Sequence, residues 1–371
     1  MTISYHRPTK AVIDLNAIQQ NVTQEQQQHP DKKVFAVVKA DGYGHGAISV
    51  ASAALAAGAE GFCTATLDEA IELRCNEFTQ PILILGIIAP SDAPLAAVYN
   101  LSVPVAEINW LQEAAKYFHD TSLKLHIHIK ADTGMGRIGF LDTKEINQAV
   151  KWMEQEENFY WEGIFTHFAT ADQVDVQYFQ AQTQCFNDIL QALPYKPDYI
   201  HTANSATAMW HQDVGNMVRL GVAMYGLNPS GTDLEPPYPL QPALSLVSEI
   251  VQTKKLPKGY GIGYGKTYET KEEEWIATIP IGYADGYTRN LQGFNVLING
   301  QSCEVVGRVC MDQIMVRLPK KIDEGTQVTL VGKNGGKEIS LQDIAAYEGT
   351  NNYEVACLIS TRVPREYVGK G

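Results

Sequence analysis

"VFAVVKADGYGHGAISVASAALAAG", residues 34–58, holds the choice of fold. Five apolar residues end at Lys39, three glycines alternate with Tyr43 and His45, and an alanine-rich segment begins at Ala47. A short apolar run, a glycine turn and a helix in that order make one βα unit. The turn has two readings. "GYGHGA" fits the G-x-G-x-x-A spacing of a dinucleotide-binding turn, with Glu60 near the place of a ribose-binding acid. Alternatively, the same turn carries the end of a barrel strand to the mouth of a (β/α)8 barrel.

Seven further runs decide between them. "GFCTA" (61–65), "ILIL" (82–85), "SVPVA" (102–106), "LHIHI" (125–129), "EGIFTH" (162–167), "YIHTA" (199–203) and "MVRLG" (217–221) follow "VFAVV". Segments with helix starts, such as "TLDEAIEL" and "SDAPLAAVYN", separate them. Eight short apolar strands alternating with helices predict an α/β fold with a parallel sheet closed into a TIM barrel, a doubly wound sheet being the runner-up. Lys39, three residues ahead of the first glycine, has no place in the dinucleotide motif.

The proline- and glycine-rich stretch "GLNPSGTDLEPPYPLQP" (226–242) reads as a linker or long loop. After it the texture turns to β: "LSLVSEIVQ", "WIATIPIG", "FNVLING", "CEVVGRVC", "QIMVRLP" and "TQVTLVG", with Asn299-Gly300 as a hairpin signal. A barrel domain over residues 12–235 and a mostly β C-terminal domain formed by 1–11 and 236–371 are therefore expected.

A chain of 371 residues with net charge −13 has no excess of Lys and Arg for sequence-independent nucleic-acid binding, which points to a small-molecule substrate. Its six cysteines are scattered, without a C-x-x-C, as expected of reduced cytoplasmic thiols, and no apolar run is long enough to span a bilayer. "YGKT" (264–267) resembles the end of a P-loop, but Tyr260 stands where the first glycine should be. His126 and His128 alternate like a metal pair without a clearly placed third ligand; they read as barrel-interior histidines, and no metal is expected.

Barrel enzymes work at the C-terminal ends of their strands. Lys39, Lys130, Arg137, His167, Asn204, Ser205 and Arg219 fall there or within the runs themselves. Polar strand ends are common, but lysine, arginine and histidine inside apolar runs are not. A desolvated Lys39 would be a competent amine nucleophile, suited to a Schiff base.

Ten stretches together carry a resemblance: "AVIDLNAI", "AVVKADGYGHGA", "KADTGMGRIGF", "FTHFATAD", "HTANSA", "VRLGVAMYGL", "GYGIGYGKTY", "PIGYADGY", "GRVCMDQ" and "RVPRE". In this order they resemble the alanine racemases, pyridoxal 5'-phosphate enzymes of fold type III, over essentially the whole length. The resemblance implies a two-base racemisation of alanine that supplies D-alanine for peptidoglycan. Lys39 would hold the cofactor and act on one face of the substrate Cα, and Tyr264 of a second subunit would act on the other. His167, Asn204, Ser205, Arg219, Gly221, Val222, Tyr43 and Tyr353 would bind the cofactor, with Arg219 at the pyridine nitrogen. Arg137 and the backbone of Met311 would receive the substrate carboxylate, and Tyr283 would narrow the pocket. Lys130 matches a lysine often carbamylated in the family, or else is an ordinary partner of Asp132. A homodimer with a shared active site follows from the same resemblance. Two alternatives use related machinery, a racemase of wider specificity such as serine and a non-catalytic pyridoxal phosphate carrier; a decarboxylase would place a carboxylate where Arg219 stands.

Overall fold

A computed structural model of the chain describes residues 2–369. They form two units, one of residues 17–42 and 47–241, the other of residues up to Asn16, 43–46 and from Pro242 onward. The first strand, β1 (Lys10–Asp14), belongs to the second unit.

The first unit is the barrel. Its strands are β2 (Lys33–Val37), β3 (Gly61–Thr64), β4 (Ile82–Ile84), β5 (Ser102–Val105), β6 (Leu125–Lys130), β7 (Phe159–Phe165), β8 (Tyr199–His201) and β9 (Met217–Leu220). All eight predicted runs are strands, and the doubly wound alternative is excluded by their parallel order β8-β7-β6-β5-β4-β3-β2-β9. β2 pairs with β9, while the seam between β8 and β9 is held by Asn216 N–H to Ile200 O at 2.9 Å and Arg219 N–H to Ala203 O at 3.0 Å. β3, β4, β5 and β9 are buried at every residue, as a sheet covered on both faces requires.

Local chemistry sets the helix starts. Thr66 and Glu69 form a capping box before the helix Leu67–Cys75, and Asp142 caps Thr143–Met153. The "SDAPLAAVYN" segment gives a short helix, Ala93–Val98, with Pro94 in its first turn.

The second unit contains a seven-stranded sheet and two smaller ones. Its other strands are β10 (Leu244–Glu249), β11 (Gln252–Leu256), β12 (Gly261–Ile262), β13 (Tyr268–Glu269), β14 (Glu274–Ile279), β15 (Asn295–Ile298), β16 (Gln301–Glu304), β17 (Ile314–Leu318), β18 (Gln327–Asn334), β19 (Lys337–Ile339) and β20 (Arg365–Val368). The large sheet runs β16-β15-β18-β10-β1-β20 with β19 on β18; β11-β14-β17 and β12-β13 stand apart. Ile298 faces Gln301 across the Asn299-Gly300 turn, and both turn residues have the positive φ, 50° and 75°, of a two-residue hairpin.

Two readings of this unit need correction. "CEVVGRVC" is not one strand, because β16 ends at Glu304 and the backbone turns at Gly307. Two helices, Leu341–Glu348 and Asn352–Leu358, follow a stretch read only for its strands; Ser340 and Asn351 cap them with side-chain oxygens.

Candidate active site

Lys39 leaves the end of β2 half-buried, and the chain after it winds left-handed. Ala40, Asp41, Gly42 and Tyr43 all have φ between 52° and 60°. Only Gly42 takes this at no steric cost; each other residue pays about 1–2 kcal/mol. Among the bonds that hold the turn are Gly42 N–H to Val38 O at 2.8 Å, Ala40 N–H to Glu69 Oε1 at 2.7 Å, and Ala47 N–H to Asp41 Oδ1 at 2.9 Å. Glu69 thus caps its own helix with one carboxylate and clamps the turn after Lys39. The glycines alone do not make this turn, as the dinucleotide reading assumed.

Arg219 lies on β9, 3% exposed. Nη1 donates to His201 Nδ1 at 2.6 Å and His201 O at 3.3 Å. Nη2 donates to Thr166 O at 3.0 Å and Thr202 O at 3.1 Å, with His167 Nδ1 at 3.4 Å. Among the described residues no carboxylate pairs with this guanidinium and no protein acceptor meets its Nε–H. Burial foremost brings its pKa down to about 10, Cys63 and Asp213 opposing and Arg137 adding, so it stays charged at neutral pH. His167 and His201 are each held well below the imidazole range by burial and then by Arg219, and are neutral acceptors. Burial pushes the Cys63 thiol up to about 12, offset in part by Arg219 and Lys39.

At the end of β6, Lys130 is 2% exposed and donates to Ala131 O at 2.7 Å. Burial, then Arg219 and Arg137 against Asp132, brings its ammonium down to about 7. The Asp132 carboxylate is raised by burial but lowered further by the N–H groups of Gly134, Gly136 and Met135 and by Lys130, for a net fall. Oδ1 gathers those three N–H groups at 2.8–3.1 Å and folds the "DTGMGR" loop that carries the exposed Arg137. No ion pair joins Lys130 to Asp132 within 4 Å among the described residues. Beyond its burial, His167 is influenced electrostatically by Arg219, Arg137, Lys130 and Lys39.

Asn204 caps the helix Ser205–Trp210, accepting from Thr207 N–H at 2.9 Å. Ser205 Oγ accepts from the N–H of Gly221 at 3.0 Å and of Ala223 at 3.3 Å, which holds the turn containing Val222 against β9. Hydroxyl and backbone donors are therefore gathered where the chain leaves β8 and β9.

The remaining candidates lie in the second unit. Gly44 must lack a side chain, since a Cβ would meet Ala356 O at 2.5 Å; this close approach lays the Tyr43 segment on the helix that carries Tyr353. Gly282 does the same for the next pair, a Cβ there lying 2.2 Å from Cys310 O, while Tyr283 N–H donates to Cys310 O at 3.1 Å and Ala284 N–H to Met311 O at 3.0 Å. Tyr264 and Met311 line one groove and are 67% and 52% exposed; Tyr283 is 40% exposed. The "RVPRE" residues prove architectural: Arg362 pairs with buried Asp285 at 3.2 Å, and Arg365 donates to the carbonyls of Gly44, Ile359, Ser360 and Val363.

Sequence reasoning missed His201, Glu69 and Thr166. His201 had a signal, a histidine ending the otherwise apolar run of β8; Glu69 and the Thr166 carbonyl had none beyond a capping pattern. Among the described residues no His, Cys, Asp and Glu gather three or more at metal-binding distance, and no helix is long and apolar enough to cross a membrane.

Comparison with known proteins agrees with this arrangement. Two family models match, the alanine racemase N-terminal domain over residues 13–229 and the alanine racemase C-terminal domain over residues 243–367. The chain is 52% identical over 373 residues to the alanine racemase of Lactiplantibacillus plantarum, covering 99% of this chain and 100% of that protein. A crystal structure of alanine racemase from E. faecalis superposes with a TM-score of 0.98 at 54% identity, over 99% of this chain and 100% of that one. Histidine racemase from Leuconostoc mesenteroides shares the fold with a TM-score of 0.94 at 33% identity, over 99% of this chain and 100% of that one.

Proposed function

The chain belongs to the alanine racemase family, and from that premise we propose that it is a pyridoxal 5'-phosphate-dependent racemase interconverting L- and D-alanine. The observation that carries the reading is Arg219, a buried, charged guanidinium whose Nη groups are all engaged by the barrel and whose Nε–H has no protein acceptor among the described residues.

The residues fit the cofactor. Lys39 offers a primary amine for its aldehyde, and Arg219 offers an N–H to the pyridine nitrogen. Tyr43, Tyr353, Asn204, Ser205, Gly221 and Val222 supply hydroxyl, amide and backbone donors for the phosphate. When bound, pyridoxal phosphate supplies an electron sink that acidifies the substrate Cα–H. Because a guanidinium donates a hydrogen bond without giving up its proton, Arg219 keeps that sink weak and limits side reactions. His167, neutral and next to Nη2, helps to orient it.

Inversion at carbon needs a proton taken from one face and returned to the other. Lys39 serves one face and Tyr264 of the partner subunit serves the other, in a homodimer that shares its active sites. The exposure of Tyr264, Tyr283 and Met311 supports that sharing, since large apolar side chains are seldom left in water together. Arg137 and the Met311 backbone receive the substrate carboxylate, and Tyr283 closes the pocket around the methyl group. Lys130, whose ammonium is brought down to about 7 by burial, adds to CO2 as the free amine: its nitrogen bonds to carbon, a proton leaves, and the carbamate anion positions Arg137. The enzyme works in the cytoplasm and supplies D-alanine for peptidoglycan.

Loss of optical rotation from L-alanine, followed beside Lys39→Ala, tests the reading. Wild type should racemise only with cofactor, and Lys39→Ala should lose both the activity and the visible absorbance of the bound cofactor; activity without cofactor would overturn it. A racemase of wider range is the second reading, favoured by the fold shared with a histidine racemase. Comparing kcat/KM for alanine, serine and histidine separates the two: Tyr283 and the 310–312 segment predict alanine, since each methylene that does not fit costs about 1–3 kcal/mol. A non-catalytic carrier would have no use for Tyr264.

A further inference from the structure

His128 of the "LHIHI" stretch on β6 is buried, as the barrel-interior reading of the sequence expects, and it is hydrogen-bonded on both sides. His201 Nε2 and His128 Nδ1 are 2.8 Å apart, and His128 Nε2 lies 3.0 Å from Glu162 Oε2. Glu162, 9% exposed, also accepts from Ser102 Oγ at 2.5 Å and meets His126 Nδ1 at 2.8 Å. With the Arg219–His201 bond, an unbroken chain runs from the mouth of the barrel through its interior. Phe165 stacks on His201 with centroids 4.6 Å apart, and Tyr199 stacks on His128 at 5.6 Å.

The proton order of this chain is determined. A guanidinium only donates, so His201 Nδ1 must accept and the ring proton sits on Nε2. That N–H donates to His128 Nδ1, which puts the second ring proton on His128 Nε2. The end of the chain must then be an acceptor, and an ionised carboxylate is one. Glu162 is held well below the carboxylate range, His126, His128 and Ser102 together outweighing its burial.

We propose that Glu162 is a positioning residue for the racemase site, anchoring through His128 and His201 a hydrogen-bond chain of fixed direction that ends on Arg219. As the terminal acceptor it sets both imidazole tautomers and fixes the plane of the guanidinium. The chain stands on its own geometry; its effect on turnover rests on the function proposed above.

Two-bond 15N–1H NMR of histidine-labelled, cofactor-free protein reads the tautomers directly. Because Arg219 donates to His201 Nδ1 and His201 Nε2 faces His128 Nδ1, wild type should show the Nε2–H form at both His128 and His201. An Nδ1–H form or a protonated ring at either position would overturn the proposal. Glu162→Gln keeps an acceptor, and should keep both tautomers and a kcat within about threefold. Glu162→Leu removes it; His128 should lose its single tautomer, and kcat should fall about tenfold or more while KM for alanine stays within about threefold. Equal losses in the two variants, or unchanged spectra and kcat in Glu162→Leu, would refute it, and the wild-type spectra decide the matter if Glu162→Leu does not fold. Fixed tautomers in a protein that racemises nothing would support the chain and sink the activity alone.

Discussion

Gly163 of β7 leaves room for the imidazole of His128 on β6: a Cβ at Gly163 would lie 2.5 Å from Nδ1 and 2.6 Å from Cε1 of that ring. The two residues are register partners, and the pairing shifts by one between Ile127 and His128. Glycine is needed here for space, since the Gly163 φ lies outside the left-handed region. The ring it admits is the middle of the chain from Arg219 to Glu162.

Gly163→Ala should therefore push His128 off both partners. The expected loss, by urea unfolding, is about 1–3 kcal/mol, the ordinary cost of overpacking a filled core, and kcat should fall with it. A variant as stable and active as wild type would mean that the ring has slack that the geometry denies.

Lys130 predicts a pH dependence of stability. Its folded pKa of about 7 lies below the ordinary lysine value, so between about pH 7 and 10 the unfolded chain binds more protons than the folded one. Stability then rises with pH in that window relative to Lys130→Met, by at most about 1.4 kcal/mol per pH unit, and the difference is flat below it. Urea unfolding at pH 6, 7, 8 and 9 in CO2-free buffer checks the sign. With 13C-bicarbonate, wild type should give a carbamate carbon signal that Lys130→Met lacks; a signal in both would place the carbamate elsewhere.

How much of this was legible in the sequence depended on whether a residue acts through its neighbours in the chain or through space. The barrel strands were readable because residues buried on both faces must be apolar throughout, as in "VFAVV" and "MVRLG". Lys39, His167 and Arg219 stood out as polar residues within or ending such runs. Glu162 also sits in an apolar run, but its meaning needs His128 on the adjacent strand and His201 on the next, contacts that no spacing encodes. The left-handed turn was hidden for another reason: Ala40 and Asp41 do not favour that conformation, and Glu69, twenty-nine residues away, helps to impose it. The helices Leu341–Glu348 and Asn352–Leu358 had readable caps, Ser340 with Asp343 and Asn351 with Glu354, which the β texture around them obscured.

Arg219→Glu should change the course of the reaction as well as its rate. A carboxylic acid at this place can give a proton to the pyridine nitrogen, which strengthens the electron sink and favours return of the proton at the wrong carbon. Racemisation should slow by about a hundredfold or more, and a larger share of turnovers should end in keto acid and aminated cofactor, counted by lactate dehydrogenase coupling. A slower enzyme with unchanged partitioning would leave Arg219 a structural role only, since the variant also removes the donor that His201 Nδ1 accepts from.

Tyr264→Phe separates the two faces of the substrate. The side chain is 67% exposed in the single chain, so truncating one hydroxyl should not move the melting temperature. If Lys39 and Tyr264 are the two bases, the variant keeps the one that serves a single face. In deuterated water it should exchange the Cα proton of one alanine enantiomer with retention and leave the other untouched, while racemisation falls by about a hundredfold or more. Proton NMR of the Cα signal, run separately on L- and D-alanine, reads both rates. Exchange of both enantiomers at equal rates would show that one group reaches both faces, and Tyr264 would then be a pocket wall instead of a base.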